Sequence, residues 1–119
     1  MFDLTGMTAL VTGASGGIGS SIARCLAQQG ARLALSGSNS SKLRSFREEL
    51  NDEFHHPNGT HVDITCDLSN TAQVEELVPA ALDTFGQLDI LVNNAGITRD
   101  NLVMRMKDEE WQQVIAVNR

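Results

Sequence analysis

The turn Thr12-Gly13-Ala14-Ser15-Gly16-Gly17-Ile18-Gly19 carries the chemistry most open to reading in this 119-residue chain. It directly follows an apolar run and opens a segment of helical period. Backbone amides at a helix N-terminus carry partial positive charge, so such a turn suits an anion of the pyrophosphate kind. Glycine serves there because ligand and neighbouring backbone approach where a β-carbon would clash. A glycine cluster alone also fits a flexible turn; the run before it and the helix after it supply the context for an anion site. Two further polar groups hold equivalent places. Asp67-Leu68 follows a third apolar run, and Asn93-Asn94-Ala95-Gly96 follows a fourth.

Other residue types exclude chemistry. The chain has no tyrosine, so it supplies no phenolic acid or base. His55, His56 and His61 fall in residues 54–61 (FHHPNGTH), a stretch with Pro and Gly and no nearby Cys. It reads as a solvated loop, and no metal site is expected. Cys25 and Cys66 lack CxxC spacing and read as two reduced core thiols of a cytoplasmic protein. A net charge of −6 argues against wholesale nucleic-acid binding, which needs clustered Lys and Arg. No apolar run approaches the ~20 residues of a membrane span. No basic patch precedes an apolar stretch at the N-terminus, so the chain reads as soluble and unprocessed.

The elements that must position the turn follow from hydrophobic period. Residues 7–11 (MTALV), 32–35 (RLAL), 62–66 (VDITC) and 88–92 (LDILV) read as strands. The first, second and fourth are almost continuously apolar, as strands buried on both faces should be. Ile18, Ile22 and Leu26 recur every four residues, and Gly30 closes that helix. A second helix is expected over residues 41–54, with Leu43, Phe46 and Leu50 on one face. A third carries Val74, Leu77, Val78, Ala81, Leu82 and Phe85. Asn70 should cap it, Gln73 takes the capping-box position, and Gly86 ends it. Pro79 predicts a kink there. Residues 107–118 read as a last helix with Trp111, Val114, Ile115 and Asn118 on one face. The alternation βαβαβαβ predicts an α/β fold: a Rossmann-like, doubly wound parallel sheet.

Gly13, Gly17 and Gly19 give the spacing T-G-x-x-x-G-x-G. With Asn93-Asn94-Ala95-Gly96 and Asp67-Leu68, this resembles the short-chain dehydrogenase/reductase family. The resemblance implies strand order 3-2-1-4 and an NAD or NADP site at the C-terminal ends of the strands. It implies cofactor contacts from Gly13, Ser15, Gly16, Gly17, Ile18, Gly19, Ser38, Asp67, Leu68, Asn94, Ala95 and Gly96. Residues 96–102 and 104–111 look closest to the 3-oxoacyl-[acyl-carrier-protein] reductases of fatty-acid synthesis.

Cofactor choice falls to residues just past the second strand, where an acid favours NAD. Ser36-Gly37-Ser38-Asn39 contains none. Ser38 and Asn39 could donate to a 2′-phosphate, with Lys42 or Arg44 in reach, so NADP is favoured. NADP-using relatives often carry an arginine in the glycine turn or after the second strand. Gly16 and Ser38 stand there instead, which keeps NAD open.

Asn118 matches the family's active-site asparagine. The family's serine and its Y-x-x-x-K pair would lie past Arg119. The expectation is thus that residues 1–119 form the dinucleotide-binding half of one Rossmann-type domain, inactive without its catalytic half. The resemblance implies an acyl-carrier-protein-linked substrate and a homo-oligomer, commonly a tetramer, for the intact protein. A non-catalytic nucleotide-binding module and a reductase of another ketone are the competing readings. The expected order leaves the fourth strand as an exposed edge.

Overall fold

A computed structural model of the chain describes residues 3–54, 60–67, 69–93, 101–106 and 110–115. Four strands run parallel: β1 (Thr8–Thr12), β2 (Arg32–Gly37), β3 (Val62–Thr65) and β4 (Ile90–Asn93). Their order is β3-β2-β1-β4, as expected for a doubly wound sheet. The connections are α1 (Gly17–Gln28), α2 (Ser40–Glu53) and the pair α3 (Thr71–Glu75) and α4 (Leu77–Phe85).

Alternation along the strands splits the core into two layers. Ala9, Val11, Leu33, Leu35, Ile90 and Val92 pack with residues of α1 and α2 on one face. Leu10, Ala34 and Leu88 meet Leu77 and Ala81 of α4 on the other. All five residues of β1 are buried, and so are Leu33 to Gly37 of β2. Each buried leucine contributes about 1.5–3 kcal/mol relative to exposure, so the central pair β1–β2 is strongly held. β3, at the margin, is only partly covered.

Helix α1 turns a different face inward from the one its isoleucines suggest. Gly19, Ala23 and Ala27 are buried against the sheet, while Ile22 and Leu26 pack at the flank and Ile18 is 48% exposed. Small residues at i, i+4 and i+8 let the helix lie close to the strands, so close approach overrides hydropathy. On this helix Cys25 is exposed; Cys66 alone is a core thiol. Helix α2 starts at an N-cap, Asn39, whose side chain accepts from the Lys42 amide at 3.0 Å.

The third helix is broken at Glu76, between α3 and α4. The cause is Pro79, which cannot donate to the Glu75 carbonyl and whose ring crowds it. The Glu76 amide instead reaches back three residues to Gln73 O, at 3.1 Å. Asn70 caps as expected, its side chain accepting from the Gln73 amide at 3.2 Å. Gly86 ends α4 with φ +80°.

Within the span 107–118 expected as a helix, the described residues 110–115 form a strand instead. The chain makes β5 (Asn101–Met106) and β6 (Glu110–Ile115), an antiparallel hairpin paired onto β4 with Ile90 opposite Met104 and Val92 opposite Leu102. The order is therefore β3-β2-β1-β4-β5-β6, and β6 is the edge in place of β4. Strand β4 would otherwise present a row of unpaired backbone groups, and pairing them outweighs a weak local helical pattern. Asn118 lies outside the described residues. Among the described residues no helix is long and apolar enough to cross a membrane.

His61 also departs from expectation. It is not in a solvated loop: it is 1% exposed, immediately before β3. His55 and His56 lie outside the described residues.

Candidate functional site

In an open α/β sheet the ligand crevice lies where neighbouring connections leave in opposite directions. Here that point falls between β1 and β4, because α1 carries the chain toward β2 and the chain reaches β4 through α4. Thr12 ends β1 and Asn93 ends β4, and the two are register partners. The Thr12 hydroxyl donates to the Asn93 carboxamide oxygen at 3.1 Å, tying the two strand ends together across the crevice. Nothing in the sequence pattern announced that bond.

The glycine turn leaves β1 at this point. Gly13 has φ +65°, a left-handed conformation that L side chains resist. The Gly16 amide donates to Gly13 O at 3.2 Å, closing the turn, and the Ala14 amide donates to Ser36 O at 3.0 Å. Helix α1 then begins at Gly17 with no side-chain cap on its N-terminus. Its first helical bond runs from the Ser20 amide to Gly16 O.

Two glycines of the turn are required neither by crowding nor by a positive φ. A β-carbon on Gly17 would meet nothing within 4 Å, and one on Gly16 would touch only Gly13 O at an ordinary 3.6 Å. Neither has a positive φ. At Gly17, the first helical residue, glycine costs about 0.5 kcal/mol relative to alanine; at Gly16, the N-cap, that cost does not apply. A cost the fold does not need points to a requirement outside the fold. The residues present therefore fit a bound pyrophosphate: an uncapped helix terminus, and open space where side chains would stand. Gly19, by contrast, is buried against the sheet and serves close helix packing.

Ser15 leans over the end of β2, so that a β-carbon on Gly37 would come within 3.3 Å of its Oγ. The Ser36 hydroxyl next to it is fully buried and has no hydrogen-bond partner among the described residues. Ser38 is exposed beyond it. Between α1 and α2 opens a cleft of about 440 Å³ lined by Ser15, Ser20, Arg24, Ser41, Lys42 and Glu49 among others. Arg24 is committed to Glu53 at 2.7 Å.

Asp67 stands exposed two residues past β3. The Ser69 amide and hydroxyl both donate to its Oδ1, at 3.0 and 2.6 Å, and hold its carboxyl below the usual carboxylate range. Its own amide donates to the Gln73 side chain at 2.9 Å. The capping-box glutamine thus grips Asp67 rather than the Asn70 amide. The Asp-x-Ser and Asp-x5-Gln spacings were signals that could have revealed this support. Burial, with Asp67 and Glu76 adding to it, pushes the neighbouring Cys66 thiol upward and keeps it unreactive.

Of the expected contacts, Gly13, Ser15, Gly16, Gly17 and Ile18 share the turn and the head of α1. Ser38 directly follows β2 and Asp67 lies two residues past β3, at the starts of the adjoining connections. Leu68, Asn94, Ala95, Gly96 and Asn118 lie outside the described residues.

Comparison with known proteins places this geometry. The family model for short chain dehydrogenase matches residues 7–119. The chain is 47% identical over 118 residues to 3-oxoacyl-[acyl-carrier-protein] reductase FabG of Rickettsia bellii, covering 99% of this chain and 44% of that protein. It thus spans less than half the length of that relative. Among solved structures it is similar to the RhlG/NADP active-site complex of Pseudomonas aeruginosa. That match has a TM-score of 0.68 and 36% identity, and covers 78% of this chain and 36% of the other. It is also similar to a short chain dehydrogenase/reductase from Burkholderia phymatum in complex with NAD. There the TM-score is 0.64 at 34% identity, covering 76% of this chain and 31% of the other. Glycine turn, sheet order and family model agree: the chain belongs to the short-chain dehydrogenase/reductase family.

Proposed function

We propose that this chain binds the dinucleotide of an NADP-dependent reductase acting on 3-oxoacyl thioesters of an acyl carrier protein. The observation that carries the reading is the uncapped N-terminus of α1, set on the glycine turn where β1 and β4 part. The amides at the head of α1 bind the pyrophosphate, and Gly16 and Gly17 leave room for it. Asp67, kept ionised by Ser69, accepts from the adenine amino group. Ser38, the free carboxamide nitrogen of Asn39 and Lys42 serve the 2′-phosphate; Lys42 already lines the cleft beside Ser15. NADPH, when bound, supplies a hydride to the substrate carbonyl carbon. The proton for the carbonyl oxygen comes from the family's tyrosine, which this sequence does not contain. The family's asparagine corresponds to Asn118.

The cofactor reading has a rival with an observation behind it. No arginine occupies the Gly16 or Ser38 position, and Glu49 lines the same cleft as Lys42, which favours NAD. Fluorescence titration of the chain with NADPH and NADH decides between them. Tighter NADPH, weakened in Lys42→Ala, supports the proposal, and tighter NADH overturns it. The substrate is tested in a chain that carries this sequence together with the family's Ser and Y-x-x-x-K. Turnover of an acetoacetyl thioester ahead of simple ketones is expected; turnover of ketones alone contradicts it.

A further inference from the structure

Three elements meet at one buried side chain on the opposite end of the sheet from the glycine turn. His61 precedes β3 and is 1% exposed. Its Nδ1 accepts the Leu33 amide of β2 at 3.0 Å, and its Nε2 lies 3.1 Å from Phe54 O, the C-cap of α2. Since Nδ1 accepts from an N–H, the ring is neutral with its proton on Nε2, which donates to the Phe54 carbonyl. The backbone of the same residue is clamped by Asn51 of α2. Its amide donates to Asn51 Oδ1 at 2.8 Å, and the Asn51 Nδ2 donates to its carbonyl at 3.3 Å.

We infer that His61 is an acid-sensitive latch, holding β3 and the end of α2 to β2 only while its ring is neutral. Protonation of Nδ1 sets one N–H against another, the Leu33 amide, inside a buried contact. The ladder behind it is short. β3 spans four residues, and Ala34 pairs Val62 immediately beyond the latch. Among the described residues, the charged groups these elements bring add positive charge, are held elsewhere or are exposed. On β2, Arg32 adds positive charge, donating to Thr60 O at 3.0 Å. On β3, Asp63 is held by Arg47 of α2 at 2.6 Å. On α2, Glu53 is held by Arg24 and Asp52 is exposed. Release of β3 also frees the segment that leads to Asp67, so acid loosens one margin of the dinucleotide crevice from its far side.

The sign follows from linkage. The folded contact accepts only the neutral ring, whereas an unfolded histidine takes up a proton near pH ~6.5. The contribution of the latch is complete above that pH and is lost below it, about tenfold in opening equilibrium per pH unit. Hydrogen exchange on the full chain reads this directly. After correction for intrinsic rates, opening at Leu33 and at residues 62–65 should rise roughly 25-fold from pH 7 to pH 5. The Leu10 and Val11 amides of β1 should rise far less. Nitrogen NMR of the wild-type ring should show the Nε2–H tautomer at pH 7. His61→Gln, whose side chain can accept and donate without titrating, should abolish the acid dependence. Equal acid dependence in His61→Gln, or a ring that titrates near ~6.5 while β3 stays closed, overturns the latch. If the variant does not fold, the wild-type exchange and tautomer measurements decide alone.

Discussion

Gly17→Ala separates what the glycine turn does for the fold from what it does for a ligand. Gly17 opens α1, its φ is not left-handed, and an added β-carbon would meet nothing within 4 Å. The methyl group therefore enters the folded protein without strain. Alanine also removes freedom from the unfolded chain and favours the helix, together worth ~0.4–1 kcal/mol at a compatible site. At the first helical position the lower value applies, about 0.5 kcal/mol, or about 2 °C in Tm for a domain of this size. Binding should move the other way. The methyl fills the space from which a pyrophosphate reaches the α1 amides, and charge-assisted bonds there are worth ~1.5–3 kcal/mol each. Displacing one weakens NADPH binding at least ~tenfold. Urea melts and fluorescence titrations on the same preparation read both numbers. Unchanged binding refutes the assignment of Gly17 to a ligand. A stability loss beyond ~1 kcal/mol refutes it differently, by showing that the glycine serves the fold.

Other substitutions test the supports. Gly30→Ala should destabilise by ~2–3 kcal/mol in urea, because its φ is +105° and its β-carbon would lie 2.6 Å from Thr5 Oγ1. Asn39→Ala removes the α2 cap and should cost about 1 kcal/mol in thermal melts, with Asn39→Asp largely retaining it. Asp67 is held ionised by Ser69, so its folded carboxyl titrates below the unfolded one; the associated stability is present above the ordinary carboxylate range and lost as pH falls through the lowered value. Carboxyl-carbon NMR should show Asp67 titrating upward toward the ordinary range in Ser69→Ala; no change would remove Ser69 as the cause.

Much of the frame was legible because parallel strands buried on both faces leave near-continuous apolar runs, and helices between them leave caps and closing glycines. The four parallel strands, the Asn70 cap and the Gly86 stop follow from those local rules. The glycine turn was legible for the same reason: its signal is contiguous. What escaped depends on partners distant in sequence. The inward face of α1 is hidden in the sequence because Gly19, Ala23 and Ala27 give no hydropathy signal, though their small size permits close packing. His61 sat in a polar stretch, and its burial depends on Leu33, 28 residues earlier. Gln73 has capping-box spacing from Asn70, yet its side chain accepts from the Asp67 amide. The hairpin β5–β6 answers the unpaired edge of β4, a demand that no window within residues 101–115 contains. In the site, the residues of the turn were readable and the bonds that brace it, Thr12 to Asn93 and Ser69 to Asp67, were not.

The central claim is that the glycine turn, the end of β2 and Asp67 together hold a pyridine dinucleotide. Amide NMR of the 119-residue chain titrated with NADPH tests it most directly. The account predicts saturable one-to-one binding. The largest shifts should fall at Gly13 to Gly19, Ser36 to Asn39 and Asp67, with little change at Gln87 or Asp89 on the opposite end of the sheet. No saturable shift, or shifts centred on that opposite end, would contradict it.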